Sequence, residues 1–327
     1  MTGIVRATGL VKRYDRTVAL GGLDLDIAKG EIFGLVGPNG AGKTTTLRIL
    51  ATLLVPDAGD AEIAGLSVRR EANEVRRVIG FMPDSFGVYD DMKVWEYLDF
   101  FARCYGLSAD RRRTSIKDLL ELVDLGPKQD AYVAGLSRGM QQRLCLAHAL
   151  IHDPQVLLLD EPASGLDPRA RVELRELLRV LRELGKTILV SSHILPELEE
   201  LCTSVAIFDR GQVIAQGKVS DIERRLRAGA VYHVHTLGDD AARAAAAAWF
   251  DLRPEVASVQ PGAGDALHLG LVGGDEEAAA LLAAAVGAGI RIASFARAAS
   301  DLEEIFLQVT GPQTAGTPAQ PVTGAWS

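Results

Sequence analysis

Cysteine is scarce in this chain: 327 residues contain only Cys104, Cys145 and Cys202. The three lie far apart, and no two of them have the spacing of a metal-binding pair. The sequence therefore excludes a disulfide framework and a cysteine-based zinc site, and we expect free thiols in a reducing compartment.

Long hydrophobic runs are also missing. A membrane-spanning helix needs about 20 consecutive apolar residues, whereas the longest candidate, residues 278–290, is shorter, rich in alanine and interrupted by Gly287 and Gly289. Residues 1–9 contain Arg6 but no apolar core of a signal peptide, so we expect no secretory signal. These two features predict a soluble, cytoplasmic chain.

An excess of positive charge is the third feature that the chain lacks. Lysine and arginine number 35 against 43 aspartate and glutamate, which gives a net charge of -8. This balance is unlike that of a nucleic-acid-binding protein, so we expect no nucleic acid as a partner. The remaining composition, 48% hydrophobic and 24% charged, is typical of a globular protein, and the length suits about two domains.

Apolar patterning predicts alternating strands and helices over the first two thirds of the chain. The predicted strands are residues 5–10, 19–27, 32–36, 156–159, 187–191, 204–208 and 212–217, of which the last two form a hairpin. The predicted helices begin at Thr44 and at residues 92, 114, 137 and 169. This alternation indicates an α/β fold.

Beyond about residue 227 the chain becomes rich in alanine and changes its pattern. Its order is strand, helix, strand, strand, helix, strand, which predicts a small α+β domain of the ferredoxin-like type. The strands are residues 231–236, 256–260, 266–272 and 290–295; the helices are residues 240–250, 275–286 and, after the last strand, 302–308. We predict domains at residues 1–227 and 228–311, and a flexible tail at residues 312–327.

Residues 37–44, Gly-Pro-Asn-Gly-Ala-Gly-Lys-Thr, match the phosphate-loop pattern G-x-x-x-x-G-K-S/T between a predicted strand and a predicted helix. Glycines let the backbone approach phosphate oxygens, and the helix N-terminus offers free N–H groups. Lys43 is expected at the β- and γ-phosphates, Thr44 at Mg²⁺ and Thr45 at the α-phosphate. The predicted ATP-binding residues of this loop are Gly37, Pro38, Asn39, Gly40, Ala41, Gly42, Lys43, Thr44 and Thr45.

Two acids and a histidine follow predicted buried strands. Asp160 ends the strand at residues 156–159 and is a candidate Mg²⁺ ligand, while Glu161 is a candidate general base. The alternative is that both acids cap the next turn. His193 follows the strand at residues 187–191 and is a candidate γ-phosphate contact, although a lone histidine there is often incidental.

The segment Leu136, Ser137, Arg138, Gly139 and Met140 opens a predicted helix. With the motifs above, it makes about residues 4–220 resemble the ATP-binding subunit of an ATP-binding cassette (ABC) transporter. The resemblance implies a P-loop ATPase fold with a helical subdomain at about residues 90–150. It also implies that this segment is the signature loop, which acts in trans on ATP held by a second copy. Ser137 is equally a plausible helix N-cap, and the two roles are compatible.

The same resemblance assigns two further features. Ser164, Gly165, Leu166 and Asp167 correspond to the D-loop, which crosses the dimer interface. Tyr14 lies where the family has an aromatic residue that stacks on adenine, and the alternative is an ordinary aromatic residue at a strand end.

The sequence departs from the family in two places. The usual signature is L-S-G-G-Q, but here Arg138 and Met140 occupy the third and fifth positions. The serine and the second glycine, which contact phosphate, are retained, so we expect activity. The family also has a glutamine where this chain has Asp84, and we expect Asp84 to contact Mg²⁺ through water.

Five aromatic residues lie in the predicted helical subdomain: Trp95, Tyr97, Phe100, Phe101 and Tyr105. We expect most of them in the core. The resemblance implies an alternative, because this subdomain forms the family's groove for a helix of the membrane permease.

Residues 299–311 resemble the ending of ABC-2-type exporter ATPases. The resemblance implies an ATP-hydrolysing subunit with ATP and Mg²⁺ as cofactors, acting as a homodimer on the inner face of the cell membrane through a separate permease. Two alternatives stay open: an accessory ATPase of a membrane maturation or motility complex, and a soluble ABC ATPase that acts on DNA or the ribosome.

Overall fold

The computed structural model describes residues 3–15, 17–84, 87, 89, 91–194, 198–219, 229–262 and 266–297. The chain divides into two compact units, Met1–Arg225 and Leu226–Ser327. The predicted boundary at residue 227, the predicted helix at residues 302–308, the exporter-like ending and the tail lie outside the described residues.

The strands of the N-terminal unit are β1 (Val5–Tyr14), β2 (Thr17–Ile27), β3 (Ile32–Val36), β4 (Ala58–Ile63), β5 (Leu66–Ser67), β6 (Ile79–Met82), β7 (Val156–Leu159), β8 (Thr187–Ser192), β9 (Ser204–Asp209) and β10 (Gln212–Lys218). Its α-helices are α1 (Lys43–Leu50), α2 (Ala72–Val78), α3 (Val94–Cys104), α4 (Ala109–Leu122), α5 (Arg138–Leu150) and α6 (Pro168–Glu183). Short 3₁₀ turns occupy Gly126–Lys128 and Val133–Gly135.

These strands form two sheets. An antiparallel sheet has the order β2-β1-β4-β5, and a larger sheet has the order β10-β9-β3-β8-β7-β6. In the larger sheet β9, β3, β8, β7 and β6 run parallel, and β10 pairs with β9 as the predicted hairpin. Every residue of β3, β7 and β8 is buried, which explains why these strands read as continuous apolar runs. Their carboxyl ends meet at one edge of the sheet, where ligands of open α/β sheets bind.

The sequence did not predict the elements between α1 and α3, which are β4, β5, α2 and β6. In β6 a glycine interrupts the apolar pattern for a packing reason. A Cβ at Gly80 would lie 2.2 Å from the carbonyl oxygen of Ala149 in α5, so only glycine lets the helix approach this strand.

Helices α3, α4 and α5 share a separate core that includes Val94, Leu120 and Leu144. The expectation that most of the five aromatic residues lie in this core is wrong. Tyr97 is 2% exposed, but Trp95 and Phe100 are each 39% exposed and Tyr105 is 41% exposed. Trp95 and Phe100 are exposed because α3 buries only one of its faces, formed by Val94, Tyr97, Leu98 and Ala102, and Tyr105 lies just beyond the end of α3.

The C-terminal unit contains β11 (Gly229–Thr236), α7 (Asp240–Asp251), β12 (Val256–Pro261), β13 (Ala266–Val272), α8 (Asp275–Gly287) and β14 (Ile292–Arg297). Its sheet has the order β12-β13-β11-β14 with every neighbouring pair antiparallel. Phe250 from α7 and Leu281 from α8 pack with Val234 and Leu269 of the sheet. The predicted fold class, an α/β domain with a small α+β unit, is confirmed. Within the described residues, no helix combines the length and the apolar character that crossing a membrane requires.

Candidate active site

The phosphate loop connects β3 to α1, as the sequence predicted. Gly40 and Gly42 have φ angles of 83° and 111°, in the region that favours glycine. A Cβ at Gly42 would also lie 2.7 Å from the carbonyl oxygen of Ala19 in β2. The tight turn of this loop directs the N-terminus of α1 into the site, where its first N–H groups face outward from the helix.

Lys43 is held inside this loop. Its Nζ donates hydrogen bonds to the carbonyl oxygens of Gly37 at 2.6 Å and Pro38 at 3.2 Å. It also lies 3.5 Å from Oε1 of Glu161. Burial lowers the pKa of the Lys43 ammonium, and the charges of Glu161 and Asp160 oppose that shift. The loop therefore presents a buried ammonium at the N-terminus of a helix, which is an anion-binding arrangement.

Asp160 follows β7 and is only 1% exposed. One carboxylate oxygen, Oδ1, accepts hydrogen bonds from the Thr44 hydroxyl at 3.1 Å and from the Ser191 hydroxyl at 2.7 Å. Burial raises the pKa of the Asp160 carboxyl; the hydroxyls of Ser191 and Thr44 oppose that rise, and the charges of Glu161 and Asp84 add to it. Thr44 and Asp160, which the sequence proposed as one metal site, are thus in direct contact.

Ser191 is a site residue that the sequence reasoning missed. It is fully buried in β8, and its hydroxyl also accepts a hydrogen bond from the backbone N–H of Glu161 at 2.9 Å. Serine is unusual within such an apolar strand, and its position two residues before His193 is the signal that could have identified it.

Glu161 and His193 lie together although they are 32 residues apart in sequence. Nδ1 of His193 is 2.8 Å from Oε2 of Glu161, and because a carboxylate only accepts, Nδ1 carries the proton. The other carboxylate oxygen of Glu161 faces Lys43. Glu161 has a φ of 49°, an uncommon value for a residue other than glycine.

A cavity of about 340 Å³ opens in front of these groups. It is lined by Tyr14, Thr17, Ala19, Asn39, Gly40, Ala41, Gly42, Lys43, Thr44, Thr45, Asp84 and Glu161. Tyr14 is 44% exposed, with the Nζ of Lys12 5.8 Å from its ring centroid. Gly37, Pro38, Asp160 and His193 do not line this cavity but support residues that do.

The predicted signature loop and D-loop line a different cavity, of about 650 Å³. The two cavities have no lining residue in common. Ser137 caps α5, where its hydroxyl accepts from the N–H of Met140 at 3.4 Å, and Asp167 caps α6 by accepting from the N–H of Ala170 at 2.9 Å. Leu136 is buried in the helical core. One chain therefore brings the P-loop, Asp160, Glu161 and His193 together. The signature loop of the same chain lies apart from them, in the second cavity.

Comparisons with known proteins agree with this geometry. The family profile described as ABC transporter matches residues 20–164. The "Nod factor export ATP-binding protein I" of Ralstonia nicotianae is 43% identical over 221 residues, which cover 68% of this chain and 69% of that protein. The protein of the same name from Burkholderia pseudomallei (strain K96243) is 46% identical over 206 residues, covering 63% of this chain and 68% of that one.

Solved structures show the same similarity. A structure described as the ATP binding subunit of an ABC transporter has a TM-score of 0.63 and 30% identity, covering 68% of this chain and 93% of its own. The cbiO1 protein of Clostridium perfringens, part of the ABC transporter complex cbiONQ, has a TM-score of 0.61 and 28% identity, covering 69% of this chain and 95% of its own.

The chain belongs to the family of ABC transporter ATP-binding proteins, as the motifs predicted. It is an ATPase, and its nucleotide is ATP.

Proposed function

We propose that this chain is the ATP-hydrolysing subunit of an ABC-2-type exporter, which binds ATP and Mg²⁺ at the interface of a head-to-tail dimer. Hydrolysis powers export through a separate membrane permease. The observation that carries this proposal is the division of the phosphate-binding motifs between two cavities of one chain, which a second copy would complete. The names of the exporter relatives support the direction of transport.

The P-loop side of the site holds the nucleotide. Lys43 exchanges its contacts with loop carbonyls for the β- and γ-phosphates, and the N–H groups at the start of α1 and Thr45 bind the remaining phosphate oxygens. Tyr14, exposed at the edge of the cavity, stacks on adenine.

The donor set beside the loop fits Mg²⁺. The Thr44 hydroxyl and the Asp160 carboxylate are hard oxygen donors already in contact, and Asp84 lines the same cavity. Within the described ranges no group of three or more His, Cys, Asp or Glu residues could hold a metal alone, so the phosphates would supply further ligands. When bound, Mg²⁺ neutralises phosphate charge. Asp84 would hold it through a bridging water.

Glu161 is the general base. Its carboxylate lies between Lys43 and His193, and its backbone is held by Ser191 so that the carboxylate faces the cavity. Glu161 takes a proton from the attacking water, and His193 orients Glu161 through Nδ1 and contacts the γ-phosphate side of the site.

The signature and D-loop residues act on the partner copy. Ser137 and Gly139 lie at the N-terminus of α5, whose first N–H groups and partial positive charge suit the γ-phosphate of ATP bound by the other subunit. Ser164, Gly165, Leu166 and Asp167 line the same cavity or adjoin it, and they cross the same interface. ATP thus contacts both subunits and favours the closed dimer.

The permease binds the helical region. Trp95, Phe100 and Tyr105 are exposed there, and exposed aromatic residues are typical of helix-binding grooves. This contact places the chain on the inner face of the cell membrane.

The decisive test is the oligomeric state of Glu161→Gln. Without the general base, the variant should hold ATP and accumulate as a dimer in size-exclusion chromatography with light scattering, whereas wild type turns ATP over. Glu176→Gln, at an exposed glutamate of α6, is the matched control and should behave as wild type. A Glu161→Gln protein that stays monomeric in ATP and Mg²⁺, while wild type hydrolyses ATP, contradicts the dimer mechanism.

The permease is tested separately, by affinity purification of the chain from detergent-solubilised native membranes. Copurification of a multispanning membrane protein is expected. Recovery of ribosomal proteins alone would instead support a soluble ABC ATPase.

A further inference from the structure

The start of α5, residues 138–142, packs against the D-loop of the same chain. Nε2 of Gln142 donates a hydrogen bond to the carbonyl oxygen of Ser164 at 3.2 Å. A Cβ at Gly139 would lie 3.5 Å from Cδ2 of Leu166, so the helix backbone touches that leucine. The signature loop and the D-loop therefore form one continuous contact within a subunit.

Arg138 lies at the centre of this contact, at a position where the family signature has glycine. A Cβ at Gly165 would lie 2.5 Å from Cζ, 2.7 Å from Nη1 and 2.8 Å from Nη2 of Arg138. Because the three distances are similar, the flat face of the guanidinium covers the Cα of Gly165. Gly165 has a φ of 69°, so its backbone also favours glycine.

The neighbouring charges do not explain this position of Arg138. Three acids line the same cavity, but Glu173 and Asp124 pair with Arg143, and Asp167 caps α6. Within the part of the chain that the structure describes, Arg138 takes part in no ion pair. Packing of its guanidinium on the D-loop glycine therefore determines where the side chain lies.

We propose that Arg138 is a positioning residue that joins the signature loop to the D-loop within one subunit and so couples the two ATP sites of the dimer. The inference rests on the proposed head-to-tail dimer. In that dimer the signature loop of one subunit closes the ATP site of its partner, while its D-loop begins three residues after Glu161, which lines the subunit's own ATP site, and the Ser164 N–H donates to the Glu161 carbonyl oxygen at 3.0 Å. A rigid contact between the loops makes closure of the second site follow closure of the first, which is a coupling free energy between two sites.

The test measures the Hill coefficient of ATP hydrolysis by the full chain. Wild type should show a coefficient between 1 and 2, and Arg138→Ala should reduce it to about 1 and raise the ATP concentration for half-maximal rate. Binding of a fluorescent ATP analogue to the isolated subunit should not change. Lys128→Ala, which removes another positive charge from the same cavity, is the matched control and should keep the wild-type coefficient.

Arg138→Lys separates packing from charge. Lysine keeps the charge but has no planar group to cover Gly165, so we expect the coefficient to fall as far as in Arg138→Ala. Full cooperativity in Arg138→Lys would mean that charge alone acts, and it would overturn the inference. A wild-type coefficient of 1, or an unchanged one in Arg138→Ala, would overturn it as well.

A double-mutant cycle gives an independent readout. Gly165→Ala should lower the Tm more in the wild-type background than in the Arg138→Ala background. The backbone strain of alanine at residue 165 is present in both backgrounds, but its Cβ clashes only where the Arg138 guanidinium is present. Additive effects would contradict the contact. If Glu161→Gln dimerises with ATP while these outcomes fail, only this inference is lost; if it does not dimerise, the proposed function fails too.

Discussion

Ser191→Ala tests whether the buried hydroxyl of β8 prepares the metal ligand and the general base together. The substitution removes a donor 2.7 Å from Oδ1 of Asp160 and an acceptor 2.9 Å from the N–H of Glu161. We expect the strand to keep its conformation, because alanine introduces no new group at this buried position and leaves only a cavity of the size of one hydroxyl oxygen.

The expected size of the effect follows from these two hydrogen bonds. A bond to a charged group contributes about 1.5–3 kcal/mol, and leaving a buried N–H without a partner costs about 1–3 kcal/mol. Since the hydroxyl stabilises the ionised form of Asp160, the proposed Mg²⁺ ligand, we expect half-saturation by Mg²⁺ to require at least about tenfold more metal, which corresponds to about 1.4 kcal/mol. The free energy of unfolding should fall by at least about 2.5 kcal/mol, the sum of the two lower bounds.

The assay is a Mg²⁺ titration of ATP hydrolysis at saturating ATP, with thermal unfolding measured beside it. Ser192→Ala is the matched control, since its hydroxyl accepts from the N–H of Ile194 at 2.9 Å and Ser192 does not line the nucleotide cavity. It should leave the Mg²⁺ requirement unchanged. If Ser191→Ala titrates with Mg²⁺ as wild type does, the reasoning about this hydroxyl is refuted, whatever happens to its Tm.

Three further predictions concern single residues. Gly42→Ala should abolish ATP binding and lower the free energy of unfolding by at least about 2 kcal/mol, measured by denaturant titration. Gly40 has a φ of 83° but no atom within 4 Å of a Cβ, so Gly40→Ala should lower the free energy of unfolding by only about 1 kcal/mol. Burial lowers the pKa of His148 to about 4. The unfolded chain then binds the extra proton below pH about 6.5, so stability should fall by about 2–3 kcal/mol toward pH 4.5. In thermal unfolding measured from pH 7 to pH 4.5, His148→Leu should reduce the dependence of Tm on pH. His235→Leu, at an exposed position, should leave that dependence unchanged. Asp84→Asn should raise the Mg²⁺ requirement about fivefold if a water-mediated contact contributes about 1 kcal/mol, and an unchanged requirement and turnover would exclude that contact.

The sequence predicted those elements whose burial is uniform or strictly alternating. Strands β3, β7 and β8 are buried on both faces, so their apolar runs were visible without any knowledge of the fold. The phosphate loop was predictable for a related reason. Its glycines are required by the local backbone conformation and its Lys43 by the ligand, and neither depends on distant contacts.

Elements that depend on distant contacts were not predictable in this way. Gly80 weakens the strand pattern of β6 because α5, far along the chain, packs on it. Trp95, Phe100 and Tyr105 are aromatic residues of the kind found in cores, but they are exposed. The prediction failed because the number of apolar residues does not reveal which face of α3 a neighbouring helix covers.

The conformation of Glu161 shows the same limit at the centre of the site. A φ of 49° costs a non-glycine residue about 1–2 kcal/mol. One local hydrogen bond, from the Ser164 N–H to the Glu161 carbonyl oxygen at 3.0 Å, opposes this cost. The other stabilising partners are distant in sequence: Ser191, 30 residues away, whose hydroxyl accepts from the Glu161 N–H, and Lys43 and His193, which contact the two carboxylate oxygens. The parallel pairing of β7 with β8 is what brings these partners into reach. The two adjacent acids therefore have different partners: Asp160, the proposed metal ligand, contacts Thr44, while Glu161, the proposed general base, lies between Lys43 and His193.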